Sequence, residues 1–126
     1  MYSINYYSTE SGNVPVEKYI GQLAKKHKII DIAAIESYIK RLSQFGLDIN
    51  NHFRGSCKLL RDGVYELRPK TTRIFFFTFV DNTIVLLHAI EKKRSDVPPS
   101  EIERAIKEKN DYIRRYQNGK KDGEPF

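Results

Sequence analysis

The stretch that decides the fold reads Arg73-Ile74-Phe75-Phe76-Phe77, then the polar pair Asp81-Asn82, then Ile84-Val85-Leu86-Leu87-His88. A two-residue polar break between apolar runs is typical of a hairpin turn, which predicts strands near residues 72–80 and 83–90. The first strand is apolar on both faces, and such a strand is usually central in its sheet and covered on both sides. Helices on one face and a cleft or a partner on the other would satisfy this pattern.

Further strands are predicted before this hairpin. Residues 2–7 and 63–69 have strand composition. Residues 47–63 lack a clean period, which predicts a loop with at most one short strand.

Three helices are predicted around the sheet. Pro15 suits the first turn of one helix, and a second helix lies around Asp31 and ends at Gly46. Ser100 and Glu103 have the spacing of a capping box, which predicts the start of a last helix. The apolar stripe of that helix is predicted at Ile102, Ile106, Ile113 and Tyr116. We therefore expect an α+β fold, a small and mostly antiparallel sheet with two N-terminal helices packed on it and a C-terminal helix.

Length and composition indicate one domain. The chain has 126 residues, of which we assign 1–117 to the domain and 118–126 to a flexible C-terminal tail. Cys57 is the single cysteine, which excludes an intramolecular disulfide and fits a reducing compartment. No secretory leader is evident, and no apolar run approaches the roughly 18 residues of a membrane span. We expect a cytoplasmic protein without membrane contact.

Several classes of chemistry are not indicated. His27, His52 and His88 lie on unrelated segments, and Cys57 has no second cysteine beside it. We therefore expect no metal site and no cofactor. The chain also lacks a Gly-rich phosphate loop and a nucleophile elbow, which argues against nucleotide hydrolases and acyl-transfer enzymes.

Positive charge is concentrated in the middle of the sequence. Residues 54–94 hold nine basic and four acidic side chains, so five of the six net positive charges lie in this third of the chain. Such a bias attracts nucleic acid or an acidic protein segment. Charges on or beside stiff strands can hold a phosphate at a fixed distance, which suggests a phosphate-handling surface.

Two arginines are the sharpest candidates for phosphate binding. Arg73 begins an apolar strand and has no acidic neighbour in sequence, so its planar guanidinium is suited to bind two phosphate oxygens at once. Arg68 would share a strand face with Glu66, which leaves an internal ion pair as the alternative.

His88 and the pair Lys92-Lys93 each have a structural alternative. An isolated histidine on an apolar strand is more often a hydrogen-bonded structural residue, although histidine also suits proton transfer. A lysine pair directly after a strand commonly protects a sheet edge from pairing with another chain.

In this order, these residues resemble the phage-derived Gp49-like group of the RelE/ParE toxin superfamily, and most closely toxins of HigB type. The resemblance covers nearly the whole chain. It is carried by Tyr6-Tyr7, Gly12-Asn13-Val14-Pro15-Val16, Val64-Tyr65-Glu66-Leu67-Arg68, Arg73-Ile74-Phe75-Phe76, Ile84-Val85-Leu86-Leu87-His88, Glu91-Lys92-Lys93 and Pro98-Pro99-Ser100-Glu101-Ile102-Glu103-Arg104-Ala105.

The resemblance implies a RelE-like fold and the toxin of a type II toxin–antitoxin system, a metal-independent endonuclease that cleaves mRNA on the translating ribosome and so inhibits translation. The implied reaction is attack of a ribose 2′-OH on the adjacent phosphate, which leaves a cyclic phosphate and a 5′-OH end. The implied partners are mRNA on the ribosome and a helix-turn-helix antitoxin, bound in a heterotetramer.

Roles carried over by position divide the candidate residues into two sets. The implied catalytic residues are Arg73, Arg68, Lys93 and His88. The expected RNA-binding residues are Lys92, Lys70, Arg61, Lys58 and Arg94. Two other functions fit the same features: a ParE-like toxin that poisons DNA gyrase, and a binding module without catalysis on the same fold.

Overall fold

The computed structural model describes residues 1–93 and 96–121, which form a five-stranded sheet flanked by helices. The strands run in the order β1-β5-β4-β3-β2, and β4 is central, as its two apolar faces predicted. The pairing of β1 with β5 is parallel and the other three are antiparallel. The expected α+β class is confirmed, with a mixed sheet. The strands span Ser3–Tyr6 (β1), Cys57–Arg61 (β2), Val64–Leu67 (β3), Thr72–Phe79 (β4) and Thr83–Glu91 (β5).

Three helices precede most of the sheet and one follows it. The helices span Pro15–Lys25 (α1), Ile29–Phe45 (α2), Ile49–His52 (α3) and Pro99–Lys121 (α4), and a 3-10 turn spans Gly46–Asp48. Residues 47–63, which predicted a loop with at most one strand, contain the short helix α3 as well as β2. Helix α4 continues four residues into the segment expected to be a tail, and residues 122–126 lie outside the described residues.

Alternate residues of β4 supply two hydrophobic cores on opposite sides of the sheet. Ile74 and Phe76 pack with residues of α1 and α2, including Ile35 and Leu42, on what we call the α1/α2 side. On the α4 side, the buried residues are Tyr7, Val64, Phe75, Phe77, Val85, Leu87, Ala105 and Tyr112. The expectation of a cleft or partner on the second face is therefore wrong for most of its area, because α4 covers it.

Local backbone chemistry explains two of the chain reversals. Asp81 and Asn82 both have positive φ, and the amide of Thr83 donates to the carbonyl of Val80, so the predicted hairpin closes with a type I′ turn. Gly46 ends α2 at a φ of 57°, and a Cβ there would lie 2.5 Å from the Tyr2 ring. Only glycine fits at this stop.

Of the helices in residues 1–93 and 96–121, none is long and apolar enough to cross a membrane.

Candidate functional site

Strand register gathers charged side chains at one corner of the α4 side. Phe75, in the α4-side core, lies opposite Glu66 on one neighbouring strand and opposite His88 on the other. Because every second residue of a strand faces the same way, Arg68 and Arg73 also lie on this side. Leu67 lies opposite Ile74 in this antiparallel register, so the next pair of positions places Arg68 opposite Arg73.

Two lysines complete this corner. Lys58 of β2 lies opposite Glu66. Lys92 comes two residues after Ile90, the β5 residue opposite Arg73, and therefore lies on the same side of the sheet as Ile90. The amide of Lys92 donates to the Thr71 carbonyl at 2.7 Å, which continues the pairing of the two strands beyond Glu91. We call Lys58, Arg68, Arg73 and Lys92 the basic corner.

Arg73 is more buried than its position at the start of a strand suggested. Its Nη1 donates hydrogen bonds to two backbone carbonyls, those of Lys70 and Thr72, each at 2.8 Å. The residue is 8% exposed, and its buried Nε has no hydrogen-bond partner among the residues that the structure describes. Burial lowers the pKa of Arg73, Glu66 opposes that shift, and Arg68 adds to it. An arginine nevertheless remains cationic at neutral pH.

Arg68 forms the ion pair that the sequence offered as an alternative. Its Nε and Nη2 both lie 2.9 Å from Oε1 of Glu66, a buried carboxylate. A third of the Arg68 side chain remains exposed. The other Glu66 oxygen, Oε2, is buried and accepts no hydrogen bond from residues 1–93 or 96–121. The pair therefore fixes the direction of the Arg68 guanidinium and leaves one side of it open.

The remaining candidate cations do not all reach this corner. Lys70 is exposed in the turn between β3 and β4, and its backbone carbonyl accepts the bond from Arg73. Arg61 is exposed at the far end of β2, three residues from Lys58 and therefore roughly 10 Å along the strand. Arg94 lies outside the described residues.

A pocket of about 320 Å³ opens between the end of β5 and the start of α4, beside the basic corner. Ile90, which lies opposite Arg73, is part of its wall. Two lysines and three carboxylates contribute to the lining. The lining residues are Ile90, Glu91, Lys92, Lys93, Asp96, Val97, Pro98 and Glu101. Such a mixture supplies proton donors and acceptors as well as positive charge.

His88 lies beneath this pocket, fully buried, with a carboxylate at each ring nitrogen. Its Nδ1 is 2.6 Å from Oε1 of Glu108, and its Nε2 is 3.0 Å from Oε1 of Glu101. Arg104 donates from Nε to Oε2 of Glu108 at 3.3 Å. The centroid of the Phe75 ring lies 4.7 Å from that of the imidazole, with the two rings tilted by 40°. His88 therefore lies between α4 and the sheet, and Glu101 connects it by a hydrogen bond to the pocket lining.

Glu101 and Glu108 were missed as functional candidates, although the sequence held a signal. The face of α4 that is buried against the sheet contains Ala105 and Tyr112. The predicted stripe of isoleucines lies beside this face and is only partly buried. Glu101 and Glu108 share the buried face, because spacings of 4, 7 and 11 keep residues on one helical face. A carboxylate on the buried face of a helix needs a hydrogen-bonding or charged partner, because burying it alone costs free energy, and His88 is that partner.

No metal-binding arrangement is present in the described part of the chain, since none of its groups of three or more His, Cys, Asp or Glu residues could hold an ion. The fold and corner are those of a small α+β protein with a cationic surface built on a rigid sheet.

A family model described as phage-derived protein Gp49-like (DUF891) matches residues 19–110. The chain belongs to this family, which is of the RelE/HigB-like toxin type. A comparison with curated proteins finds no match.

Proposed function

We propose that this chain is the toxin of a type II toxin–antitoxin system and that it cleaves mRNA on the translating ribosome in the cytoplasm, without a metal or cofactor. The observation that carries the proposal is the basic corner, where two arginines on adjacent strands meet beside a pocket containing lysines and carboxylates. Family membership supports a toxin. The mixed sheet with α4 across one side supports a RelE-like fold, which is part of the proposal.

The corner is suited to an in-line displacement at phosphorus. The ribose 2′-OH attacks the adjacent phosphate, the bond to the 5′-oxygen breaks, and a cyclic phosphate and a 5′-OH end remain. Negative charge grows on the phosphate oxygens during this step, and Arg68 and Arg73 stabilise it without changing protonation. Lys58, Lys70 and Lys92 bind the flanking RNA backbone, and Lys93 supplies a further cation in the pocket.

The proposed inhibitor is a helix-turn-helix antitoxin that binds the toxin in a heterotetramer. Its acidic surface would be attracted by the net charge of +6 and by the concentration of that charge in the central third of the chain. Co-expression with a neighbouring helix-turn-helix protein should restore growth. Light scattering of the purified complex should give the mass of two copies of each chain.

The decisive experiment incubates the purified protein with translating ribosomes and maps mRNA 5′ ends. We expect new ends within the translated frame, and none when the start codon is removed or when the same RNA is free in solution. Inhibited DNA supercoiling without RNA cleavage would instead indicate a gyrase poison. Ribosome binding with neither effect would indicate a binding module, and either result would overturn the proposal.

A further inference from the structure

Glu101 is the carboxylate that links the pocket to the buried part of α4. It stands in the first turn of the helix, and its side chain is 30% exposed. Its Oε1 faces His88, and its Oε2 makes no hydrogen bond to any described residue. The charged groups around it are Glu91, Lys92 and Lys93 from β5 and its end, Asp96 from the following connection, and Arg104 of α4, whose Nη1 is 3.9 Å from Oε1.

His88 is built to hold that carboxylate in place. The imidazole cannot turn without losing a 2.6 Å contact to Glu108, which Arg104 holds in turn. A ring fixed at Nδ1 presents Nε2 in a single direction, towards Glu101. Glu101 also lines the pocket, together with Lys92 and Lys93, so a carboxylate held by His88 is a fixed part of the pocket wall.

We propose that Glu101 is the general base of the cleavage reaction and that His88 and Glu108 are positioning residues for it. This inference rests on the proposed function. Glu101 accepts the proton of the 2′-OH while the bond from the 2′-oxygen to phosphorus forms. As the bond from phosphorus to the 5′-oxygen breaks, the ammonium of Lys92 or Lys93 donates a proton to that oxygen. Exchange with water then returns both groups to their starting states.

The test compares Glu101→Gln with Glu103→Gln, since Glu103 is an exposed glutamate of the same helical turn. In single-turnover assays with saturating ribosomes, Glu101→Gln should lower the cleavage rate by on the order of 10²–10⁴-fold. Its residual rate should rise more steeply with pH than that of the parent, because hydroxide must replace the lost base. Glu103→Gln should leave both properties unchanged. A Glu101→Gln variant that cleaves at the parent rate would overturn the inference.

A double variant tests whether His88 acts on the reaction by positioning Glu101 or contributes independently of it. His88→Gln should lower the rate about tenfold, but Glu101→Gln combined with His88→Gln should be no slower than Glu101→Gln alone, since His88 acts through Glu101. Losses that multiply would show that His88 acts independently and would overturn its assigned role.

Chemical rescue covers the case in which Glu101→Gln loses its fold. Formate should restore part of the cleavage by Glu101→Ala, assayed below its own melting temperature. Absence of rescue would overturn the inference. Failure of the proposed function is distinguishable, because the parent protein would then produce no cleavage at all.

Discussion

Arg68 and Arg73 reach the same corner of the sheet through different partners. Two backbone carbonyls hold Arg73, whereas a buried carboxylate, Glu66, holds Arg68. A guanidinium that is already held in place loses little further freedom when it binds phosphate, so such an arrangement is preorganised. This arrangement has an energetic cost, because Nε of Arg73 and Oε2 of Glu66 are buried and find no hydrogen-bond partner within the described part of the chain.

Replacing Arg73 should affect the rate more than ribosome binding. We expect Arg73→Lys to keep the charge but lose the forked geometry, and Arg73→Ala to lower cleavage about a hundredfold, or about 3 kcal/mol of transition-state stabilisation. Growth arrest on expression and single-turnover cleavage measure the effect, with thermal melting as a check of the fold. The matched control is Lys40→Ala, an exposed cation on α2. Parent-like toxicity of Arg73→Ala at equal expression would contradict the role given to Arg73.

Side-chain hydrogen bonds attach helix α4 to the rest of the domain in its first turns and near its middle. Glu101 and Glu108 bond His88 in its first half, and Asp111 accepts a 2.8 Å hydrogen bond from the Tyr7 hydroxyl in its second half. Arg115 adds a bond to Asp111 and lies 5.3 Å from the Tyr7 ring centroid. Burial raises the pKa of Asp111, but the hydrogen bonds from Tyr7 and Arg114 and the nearby arginine charges outweigh it, so the net shift is downward.

The second attachment should make stability depend on pH in the alkaline range. Burial and then the hydrogen bond to Asp111 raise the pKa of Tyr7 from 10.0 to about 12. The stabilisation is therefore complete below about pH 10 and is lost as pH rises towards 12. Urea unfolding of Tyr7→Phe should show a smaller loss of stability over this interval than the parent shows. An identical alkaline loss in both proteins would exclude Tyr7 as its source.

The β4–β5 hairpin has a turn whose backbone few residues accept. Asn82 has a φ of 55°, and its carbonyl also accepts a bond from the Ser3 amide at the start of β1. Asn82→Val should therefore lower the free energy of unfolding by about 1–2 kcal/mol, because a branched side chain is strained at positive φ. Asn82→Gly should be as stable as the parent. Urea midpoints at constant slope measure both changes, and equal midpoints for Val and Gly would contradict this account.

At the scale of the whole molecule, the sheet collects charges that are far apart in sequence. The basic corner draws on β2, β3, β4 and the end of β5, and it adjoins a pocket closed by the start of α4. The pocket lining is not uniformly positive, because Glu91, Asp96 and Glu101 accompany Lys92 and Lys93. In the proposed function the corner binds the RNA backbone and the pocket transfers protons.

The lysine pair should contribute to affinity through released counterions. Lys92→Ala combined with Lys93→Ala should weaken ribosome binding and reduce the slope of log affinity against log salt by about 0.7 for each phosphate that the variant no longer neutralises. The control is Lys25→Ala with Lys26→Ala, an equally charged exposed pair at the C-terminal end of α1. If both double variants change the slope equally, the effect comes from net charge alone and Lys92-Lys93 is only a guard of the sheet edge.

The amino-acid sequence by itself determined which strand lies at the centre of the sheet. An apolar strand without a polar face had to lie between neighbours and under two layers, and the Asp81-Asn82 turn joined it to β5. The start of α1 and the end of α2 followed from Pro15 and Gly46 for similar local reasons. Family membership could also be inferred from the sequence, because the stretches that resemble the family follow one another in order along the chain, and the family model matches residues 19–110.

Tertiary structure alone decided which charges meet and which are buried. Arg73 had no acidic neighbour in sequence, yet packing buried it against carbonyls of its own turn. His88 contacts Glu101 and Glu108, which are 13 and 20 positions away in sequence, because α4 crosses the sheet above β5. Helical and strand periodicities fix the face on which a residue lies, but the facing partner depends on how the helix docks, and that is set by the whole core.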